Sequence, residues 1–181
     1  EKEGMIKKSS EGKHMSRALL GYEWNLKEKI LIPAQYSKEV EEIFEEFSKI
    51  LPVYCLIGNH DTYHKSDNSI NSVKILSYIP NITVIQEPEV IKTTTNKTIF
   101  CLPWRSSPDI EKEAIKNDNS NYLFCHLDIN SFKYNTYTTI LDGNDASIFN
   151  KYDHVFDGHL HYKMVKDNIT VIGSIMQYTR G

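Results

Sequence analysis

Residues 53–61, with the sequence VYCLIGNHD, constrain the fold more than any other stretch of the chain. Five apolar or aromatic residues without polar alternation run directly into Gly58 and three polar side chains. A short apolar run that stops at a glycine predicts a strand buried on both faces, as in a sheet covered by helices. Ligands of open α/β sheets lie beyond the carboxyl ends of the strands, so the turn after this strand is a candidate site.

The three polar residues of this turn, Asn59, His60 and Asp61, carry complementary chemistry. An asparagine offers a neutral oxygen to a metal ion, a histidine serves as a ligand or a proton donor, and an aspartate can orient that histidine. The alternative interpretation is a polar turn without a function, because Asn and Asp favour loops. The four-residue pattern alone does not decide between the two.

Two later predicted strands also end on histidines. The predicted strand over residues 121–126 (NYLFCH) ends on His126, and the predicted strand over residues 154–157 (HVFD) leads into Gly-His-Leu-His at 158–161. A single histidine at a strand end is usually structural, but His159 and His161 directly after a strand and a glycine indicate a site more sharply. His154 stands at the start of its strand, the opposite end from this site, and is left out.

Every candidate ligand in these three turns offers nitrogen or oxygen, and none offers a thiolate. Such donors suit Mn²⁺, Fe²⁺ or Zn²⁺ in a catalytic site, whereas structural zinc more often shows cysteine pairs. Neutral ligands around divalent ions leave net positive charge, which suits an anionic substrate such as a phosphodiester. Two metal ions can activate a water and stabilise the oxygens of an in-line displacement, while a histidine donates a proton to the leaving group.

The length and composition of the chain favour one globular domain with its own core. It has 181 residues, 40% of them hydrophobic and 25% charged, and no apolar run approaches the length of a membrane span. The net charge of -3 gives no argument for nucleic-acid binding, although bound cations would add positive charge locally. Cys55, Cys101 and Cys125 lie in apolar runs and are expected to be reduced core thiols, which predicts a cytoplasmic protein.

The rest of the sequence predicts alternating helices and strands. Residues 1–29 are polar and are interpreted as an N-terminal segment of uncertain order, followed by one domain over residues 30–181. Trp104 is interpreted as a core anchor, with a binding platform as the alternative. The predicted elements are a helix over 37–51, a polar loop over 62–68, a helix over 70–79, a strand over 82–86, a hairpin over 89–102, a helix over 108–117, a long loop over 127–145 and a hairpin over 162–173.

At its three histidine-bearing turns the chain resembles a known family. Residues 53–61, 121–126 and 155–161 are similar to three of the five signature blocks of the calcineurin-like metallophosphoesterases in order, strand context and spacing. The resemblance implies an α/β fold in which two mixed β-sheets pack face to face with helices outside. It also implies two divalent metal ions, with Mn²⁺ expected first and Fe²⁺ or Zn²⁺ as alternatives.

The resemblance assigns a role to the residues of the three turns. Asn59, His126 and His159 would bind one metal ion, and His161 would bind the other. His60 would be the catalytic acid or would stabilise the transition state, and Asp61 would orient it.

Further segments resemble the nuclease subunit of double-strand-break repair complexes, the SbcD-type branch found in phage and bacteria. These segments are residues 82–88, 102–104, 123–130 and 171–174. The branch implies a DNA exonuclease or endonuclease, with DNA, a coiled-coil ATPase subunit and a second copy of the chain as partners, and no membrane. The alternatives are a small-molecule or nucleotide phosphoesterase of the same superfamily, and a metal-free scaffold built on the same fold.

One departure from the family pattern affects the expected activity. The first two family blocks, Asp-x-His and Gly-Asp, are expected upstream of residue 53, and neither occurs in residues 1–52. The chain is therefore expected to be part of a longer protein. One metal would keep three ligands and the other only His161, so the chain as given is expected to hold at most one metal loosely and to cleave little DNA.

Overall fold

The computed structural model describes residues 22–25, 30–33, 37–64, 67–105, 107–134 and 137–174. These residues divide into two compact units. One unit lies within Glu1–Val53 and Ser72–Thr83, and the other lies within Tyr54–Asn71 and Val84–Gly181. The predicted domain boundary at residue 30 stays a prediction, and most of the N-terminal segment 1–29 lies outside the described residues.

The first unit contains an antiparallel strand pair, a helix and a 3₁₀-helix. Strand β1 (Tyr22–Asn25) pairs with β2 (Ile30–Pro33), so part of the segment predicted to be of uncertain order is a strand. Helix α1 (Ser37–Ile50) is confirmed, and Pro52 follows it at the predicted stop. The apolar residues of α1 are only partly covered, since Phe47 is 59% exposed.

Strand β3 (Val53–Leu56) precedes the first candidate turn and pairs with β6 (Ile82–Ile85). The division between the two units passes through both strands. The strand is confirmed, but the prediction that it is buried on both faces is wrong, because Tyr54 is 47% exposed. Among the described residues β3 has one partner strand, so it lies at the edge of a small ladder and not inside a covered sheet.

One prediction between residues 62 and 79 is wrong, and another is confirmed only in part. The predicted polar loop contains strand β4 (Thr62–His64), which pairs antiparallel with β5 (Asp67–Asn71). The predicted helix over 70–79 is helical over Ser72–Tyr78, as a 3₁₀-helix, and its first two residues belong to β5. The buried Asn68 within β5 donates from its amide to the carbonyls of Gln86 and Trp104, at 3.0 and 2.9 Å. Tertiary hydrogen bonds of this kind override the helical spacing of the apolar residues.

A mixed six-stranded sheet forms the second unit, and it confirms the predicted α/β class. Its strands are β7 (Glu89–Lys92), β8 (Thr98–Leu102), β9 (Tyr122–Cys125), β10 (His154–Asp157), β11 (Met164–Lys166) and β12 (Ile169–Val171). Their order across the sheet is β11-β12-β10-β9-β8-β7. Strands β8, β9, β10 and β12 run parallel, and β7 and β11 are antiparallel at the two edges. Both predicted hairpins are therefore confirmed.

Helix α2 (Pro108–Asn117) connects the parallel strands β8 and β9 and is confirmed with the predicted bounds. Pro108 stands at its first position, where no backbone N–H is needed, but the Ser107 side chain makes no capping hydrogen bond. A second 3₁₀-helix covers Ala146–Phe149, just after the predicted long loop. No helix among the described residues is long and apolar enough to cross a membrane.

The two faces of the six-stranded sheet differ in how they are covered. One face packs into the main core, where Leu123 and Val155 meet Ile115 of helix α2. The other face is apolar but open, with Phe124 40% and Ile172 55% exposed. The open face lines a cavity of about 570 Å³ that reaches Gly58, Asp61 and His126. Cys101 and Cys125 are free and buried as predicted, and Cys55 is free and half-buried.

Candidate functional site

The parallel strands end level with one another, so the segments that follow them meet at one edge of the sheet. Leu102 of β8 lies opposite Cys125 of β9, which lies opposite Asp157 of β10. Trp104, His126 and His159 follow these strand ends within two residues. The turn after β3 reaches the same edge, because the N–H of Trp104 donates to the carbonyl of Ile57 at 2.9 Å.

The Gly-Asn-His-Asp turn is closed by its own last residue. The Asp61 carboxylate accepts a hydrogen bond from the N–H of Gly58 at 2.8 Å, and the N–H of Asp61 donates to the carbonyl of Gly58 at 3.2 Å. Asp61 therefore fixes the shape of the turn that presents Asn59 and His60. Its predicted role in orienting His60 stays a prediction.

The glycine at position 58 is required by the approach of a histidine. A Cβ atom added to Gly58 would lie 2.7 Å from Cε1 of His126, closer than real Cβ contacts come, and 3.0 Å from its Nε2, which is tighter than most. The imidazole of His126 therefore packs directly on the backbone of the turn. Any side chain at position 58 would displace it.

Three predicted ligands converge around His126. Its Nε2 lies 2.9 Å from Oδ1 of Asn59 and 3.0 Å from Nδ1 of His159. Nε2 of His126 thus faces two atoms that can both accept a hydrogen bond. A neutral imidazole has at most one proton on that nitrogen, so it cannot donate fully to both. Two ligands bound at right angles to one ion, each about 2.1 Å from it, are roughly 3.0 Å apart. Each of the two observed spacings therefore matches a pair of ligands at right angles on a transition-metal ion.

The other side of the His159 ring is held by a carboxylate. Nε2 of His159 lies 3.1 Å from Oδ1 of Asp128. An ionised carboxylate can only accept, so Nε2 carries the hydrogen and donates it, which leaves the lone pair of Nδ1 facing His126. Burial alone raises the pKa of Asp128, but hydrogen bonds from His159 and Tyr134 outweigh it and hold that pKa below its usual value.

Two aromatic rings enclose His159. The indole of Trp104 stacks on its imidazole with ring centroids 5.6 Å apart and planes 25° apart. The ring of Tyr134 meets it edge-on at 6.1 Å, and the Tyr134 hydroxyl hydrogen-bonds to Asp128. Trp104 is half-buried, so the predicted core anchor turns out to be a wall of the candidate site.

His60 and His161 lie at the exposed side of the same group. Both interact electrostatically with His126, together with the closer His159. Burial first, and then these neighbouring imidazoles, lower the pKa of His126 to about 3. His126 is therefore neutral at physiological pH, which is the form that can bind a metal ion. The structure thus places Asn59, His126 and His159 in direct contact, with Asp61 in the same turn as Asn59 and with His60 and His161 in electrostatic range of His126. The individual roles of all six predicted residues stay predictions.

Buried polar groups lie behind the histidines. Asp157 is fully buried and accepts from the N–H of Leu127 at 2.9 Å, and burial raises its pKa to about 6. Glu111 of helix α2 is 3% exposed and accepts from the side-chain amide of Asn144, at 2.6 Å. Burial raises the pKa of Glu111 to about 7, while the hydrogen bond from Asn144 opposes the shift. Both carboxyl groups lie close enough to the site to interact electrostatically with His159.

The donor set fits a divalent transition metal only when the asparagine is included. Among the described residues, no three His, Cys, Asp or Glu side chains form a metal-binding group. Asn59, His126 and His159 supply one amide oxygen and two imidazole nitrogens, which suit Mn²⁺, Fe²⁺ or Zn²⁺. Asp128 then stands where a carboxylate commonly supports a metal-bound histidine.

Three residues of the site were not predicted from the sequence as functional: Trp104, Asp128 and Tyr134. Two of them could have been found. Trp104 follows the end of a strand that runs parallel to the two histidine-bearing strands. Asp128 stands two residues after His126, and alternate residues of an extended segment point to the same side. Tyr134 carries no comparable pattern, because a loop brings it back to Asp128.

No protein-family model, curated protein or solved structure matches the chain in the comparisons.

Proposed function

We propose that this protein is a metal-dependent phosphodiesterase, and that it cleaves DNA as a nuclease subunit in recombination or double-strand-break repair. One observation carries the proposal: Asn59 and His159 each place a donor atom 2.9–3.0 Å from Nε2 of His126. The three residues come from turns 33 and 67 residues apart, and although the pairing of β9 with β10 brings His126 near His159, Asn59 comes from a strand outside that sheet.

Each residue of the site has a part in the proposed chemistry. Asn59, His126 and His159 would hold one divalent ion, with Mn²⁺ expected first and Fe²⁺ or Zn²⁺ as alternatives. When bound, the metal supplies Lewis acidity and lowers the pKa of a bound water. His60 is exposed beside this group and would give a proton to the leaving oxygen. His161 would contribute to a second metal ion.

The open sheet face supports the finer fold assignment, the metallophosphoesterase sandwich. Phe124 and Phe156 pack against each other on that face with centroids 4.8 Å apart, and Phe124 is 40% exposed. A second sheet packed about 10 Å away is what commonly covers an apolar sheet face of this kind. The α/β class is observed, and the two-sheet sandwich is part of the proposal.

Two exposed aromatic side chains, one of them at the site, support a nucleic-acid substrate. Tyr134 is 42% and Tyr137 is 95% exposed, and Tyr134 lies against His159. Exposed aromatic rings stack on bases without requiring a particular sequence. The DNA substrate, the coiled-coil ATPase partner, a second copy of the chain and a cytoplasmic location rest on the resemblance of the sequence.

Metal binding and hydrolysis separate the proposal from its alternatives. Titration calorimetry with Mn²⁺ is expected to show one ion per chain, and His126→Gln is expected to weaken binding at least tenfold. His154→Gln is the matched control, because His154 lies at the far end of β10 and contacts Thr170 at 2.9 Å. A folded wild-type chain that binds no Mn²⁺ would favour the metal-free scaffold.

The substrate class is tested with the chain preceded by the Asp-x-His and Gly-Asp blocks that are expected upstream of residue 53. Cleavage of a labelled DNA duplex in the presence of Mn²⁺ is expected for the nuclease. Hydrolysis of a small phosphodiester, such as bis(p-nitrophenyl) phosphate, without any cleavage of DNA would favour the small-molecule phosphoesterase.

A further inference from the structure

We infer that Asp128, fixed by Tyr134, is a positioning residue that selects the tautomer of His159 and so decides which of its nitrogens carries the lone pair toward His126 and Asn59. The inference rests on the proposed function for its consequence, metal affinity. The hydrogen bond on which it depends belongs to the protein alone.

His159 is held between two groups on opposite sides of its ring. Nε2 lies 3.1 Å from Oδ1 of Asp128, and Nδ1 lies 3.0 Å from Nε2 of His126. The tautomer of a histidine is set by the hydrogen bond that its other nitrogen makes. A carboxylate on the Nε2 side places the proton there and keeps Nδ1 free to coordinate. Without Asp128 the proton could move to Nδ1 and close the site to a cation.

The ring is also prevented from turning over. Trp104 stacks on one face at 5.6 Å, while His126 and Tyr134 approach edge-on at 4.8 and 6.1 Å. The His159 side chain is 9% exposed, so rotation by half a turn would require these neighbours to move. Packing thus fixes the orientation of the His159 ring, and Asp128 fixes which of its two nitrogens carries the proton.

Asp128 is itself held from two directions. Its carboxylate accepts from the hydroxyl of Tyr134 through the same oxygen that faces His159. Its backbone carbonyl accepts from the N–H of Asn144 at 2.8 Å. A Cβ on Gly143 would lie 2.5 Å from that carbonyl, so the two segments of the loop approach as closely as a glycine permits. The position of Asp128 is therefore fixed by the backbone of the loop as well as by the exposed side chain of Tyr134.

The direct test is the protonation state of the His159 ring in the metal-free protein. With ¹⁵N-labelled histidine, long-range ¹H–¹⁵N correlation spectra distinguish the two tautomers, and a His159→Gln spectrum assigns the signal. The wild-type chain is expected to show the proton on Nε2. Asp128→Ala is expected to lose this preference and to weaken Mn²⁺ binding about 10–100-fold, the usual effect of removing such a partner.

Matched variants separate positioning from general charge or loop effects. Asp142→Ala removes the same charge from an exposed position of the same loop and is expected to change neither the tautomer nor Mn²⁺ affinity. Tyr134→Phe keeps the carboxylate but frees it, so the tautomer is expected to persist while Mn²⁺ affinity falls less than in Asp128→Ala.

Two results would overturn the inference. The first is a wild-type His159 that carries its proton on Nδ1. This result needs no variant, so it stays decisive even if Asp128→Ala does not fold. The second is an unchanged tautomer of His159 in folded Asp128→Ala. If Mn²⁺ binding were lost in that variant, Asp128 would be a ligand of the ion and not a residue that positions His159. A tautomer change in a chain that binds no Mn²⁺ would uphold the inference and contradict the proposed function.

Discussion

The imidazole of His126 lies directly on the backbone of Gly58, where a Cβ would stand 2.7 Å from Cε1 of the ring. This contact joins the turn after β3 to the end of β9, two segments that are far apart in the sequence. Substituting Gly58 therefore tests whether the site depends on the fit between them.

Gly58→Ala is expected to push His126 away from Asn59. It should weaken Mn²⁺ binding at least tenfold, because His126, a proposed ligand of the ion, is displaced. Gly158→Ala is the matched control, since a Cβ there would meet its nearest atom, in His126, at an ordinary 3.7 Å. Titration calorimetry of both variants gives the comparison. Equal affinity in the two variants would show that the ring adjusts without cost.

His60 and His159 are expected to affect different steps. His60→Gln should leave Mn²⁺ affinity nearly unchanged and lower turnover by about 10²–10⁴-fold, the range for losing a general acid. His159→Gln should reduce Mn²⁺ affinity itself, because it removes a ligand. Metal analysis after dialysis, together with rates for the chain extended upstream, distinguishes these effects, and equal metal loss in both variants would contradict the assignment.

Glu111 is expected to make the folded protein less stable as the pH rises. Its pKa is raised from 4.5 to about 7 mainly by burial, so between these values the folded state binds more protons than the unfolded state. The free energy of unfolding therefore falls with rising pH in this range, by at most on the order of 3 kcal/mol. Below about pH 4.5 the contribution of Glu111 is fully retained.

Glu111→Gln should remove this dependence, because the glutamine keeps an oxygen for the Asn144 amide and carries no charge. Urea unfolding at pH 5 and pH 8 is expected to show similar stability at the lower pH and a more stable variant at the higher. Glu113→Gln, at an exposed position of the same helix, is the control. A variant that is less stable than the wild type at pH 8 would contradict the argument.

Asn68→Ala should destabilise the second unit by about 1–3 kcal/mol, since the carbonyls of Gln86 and Trp104 lose a buried donor. Loss of the hydrogen bond to Trp104 also loosens one wall around His159. Asn117→Ala, which breaks an exposed hydrogen bond to Glu113, is expected to stay within about 0.5 kcal/mol of the wild type. Urea unfolding followed by Trp fluorescence measures both.

The sequence predicted best where a local pattern and the tertiary structure agree. Helix α2 begins at Pro108 and ends at Asn117 as predicted, because Pro at the first position and the apolar spacing both favour that helix. The three histidine-bearing turns were found for a similar reason, since each follows a short apolar strand.

Prediction failed where contacts distant in sequence decide the local structure. Residues 62–68 have the composition of a polar loop, yet the tertiary hydrogen bonds of Asn68 hold their end as part of a strand. Strand β3 has the apolar composition of a doubly covered strand, but composition does not reveal how many neighbours a strand has. Tyr134 was missed for the same reason, because its place beside Asp128 depends on the path of a loop.

The donors of the site are 67 and 33 residues apart along the chain, and this spacing has a kinetic consequence. Both intervening segments must fold and the parallel strands must pair before the three side chains can meet, so the metal site is expected to form late in folding. An ion that binds the native state more tightly than the folding transition state raises the barrier to unfolding. It would therefore lengthen the lifetime of the folded protein while leaving the rate at which the chain folds unchanged.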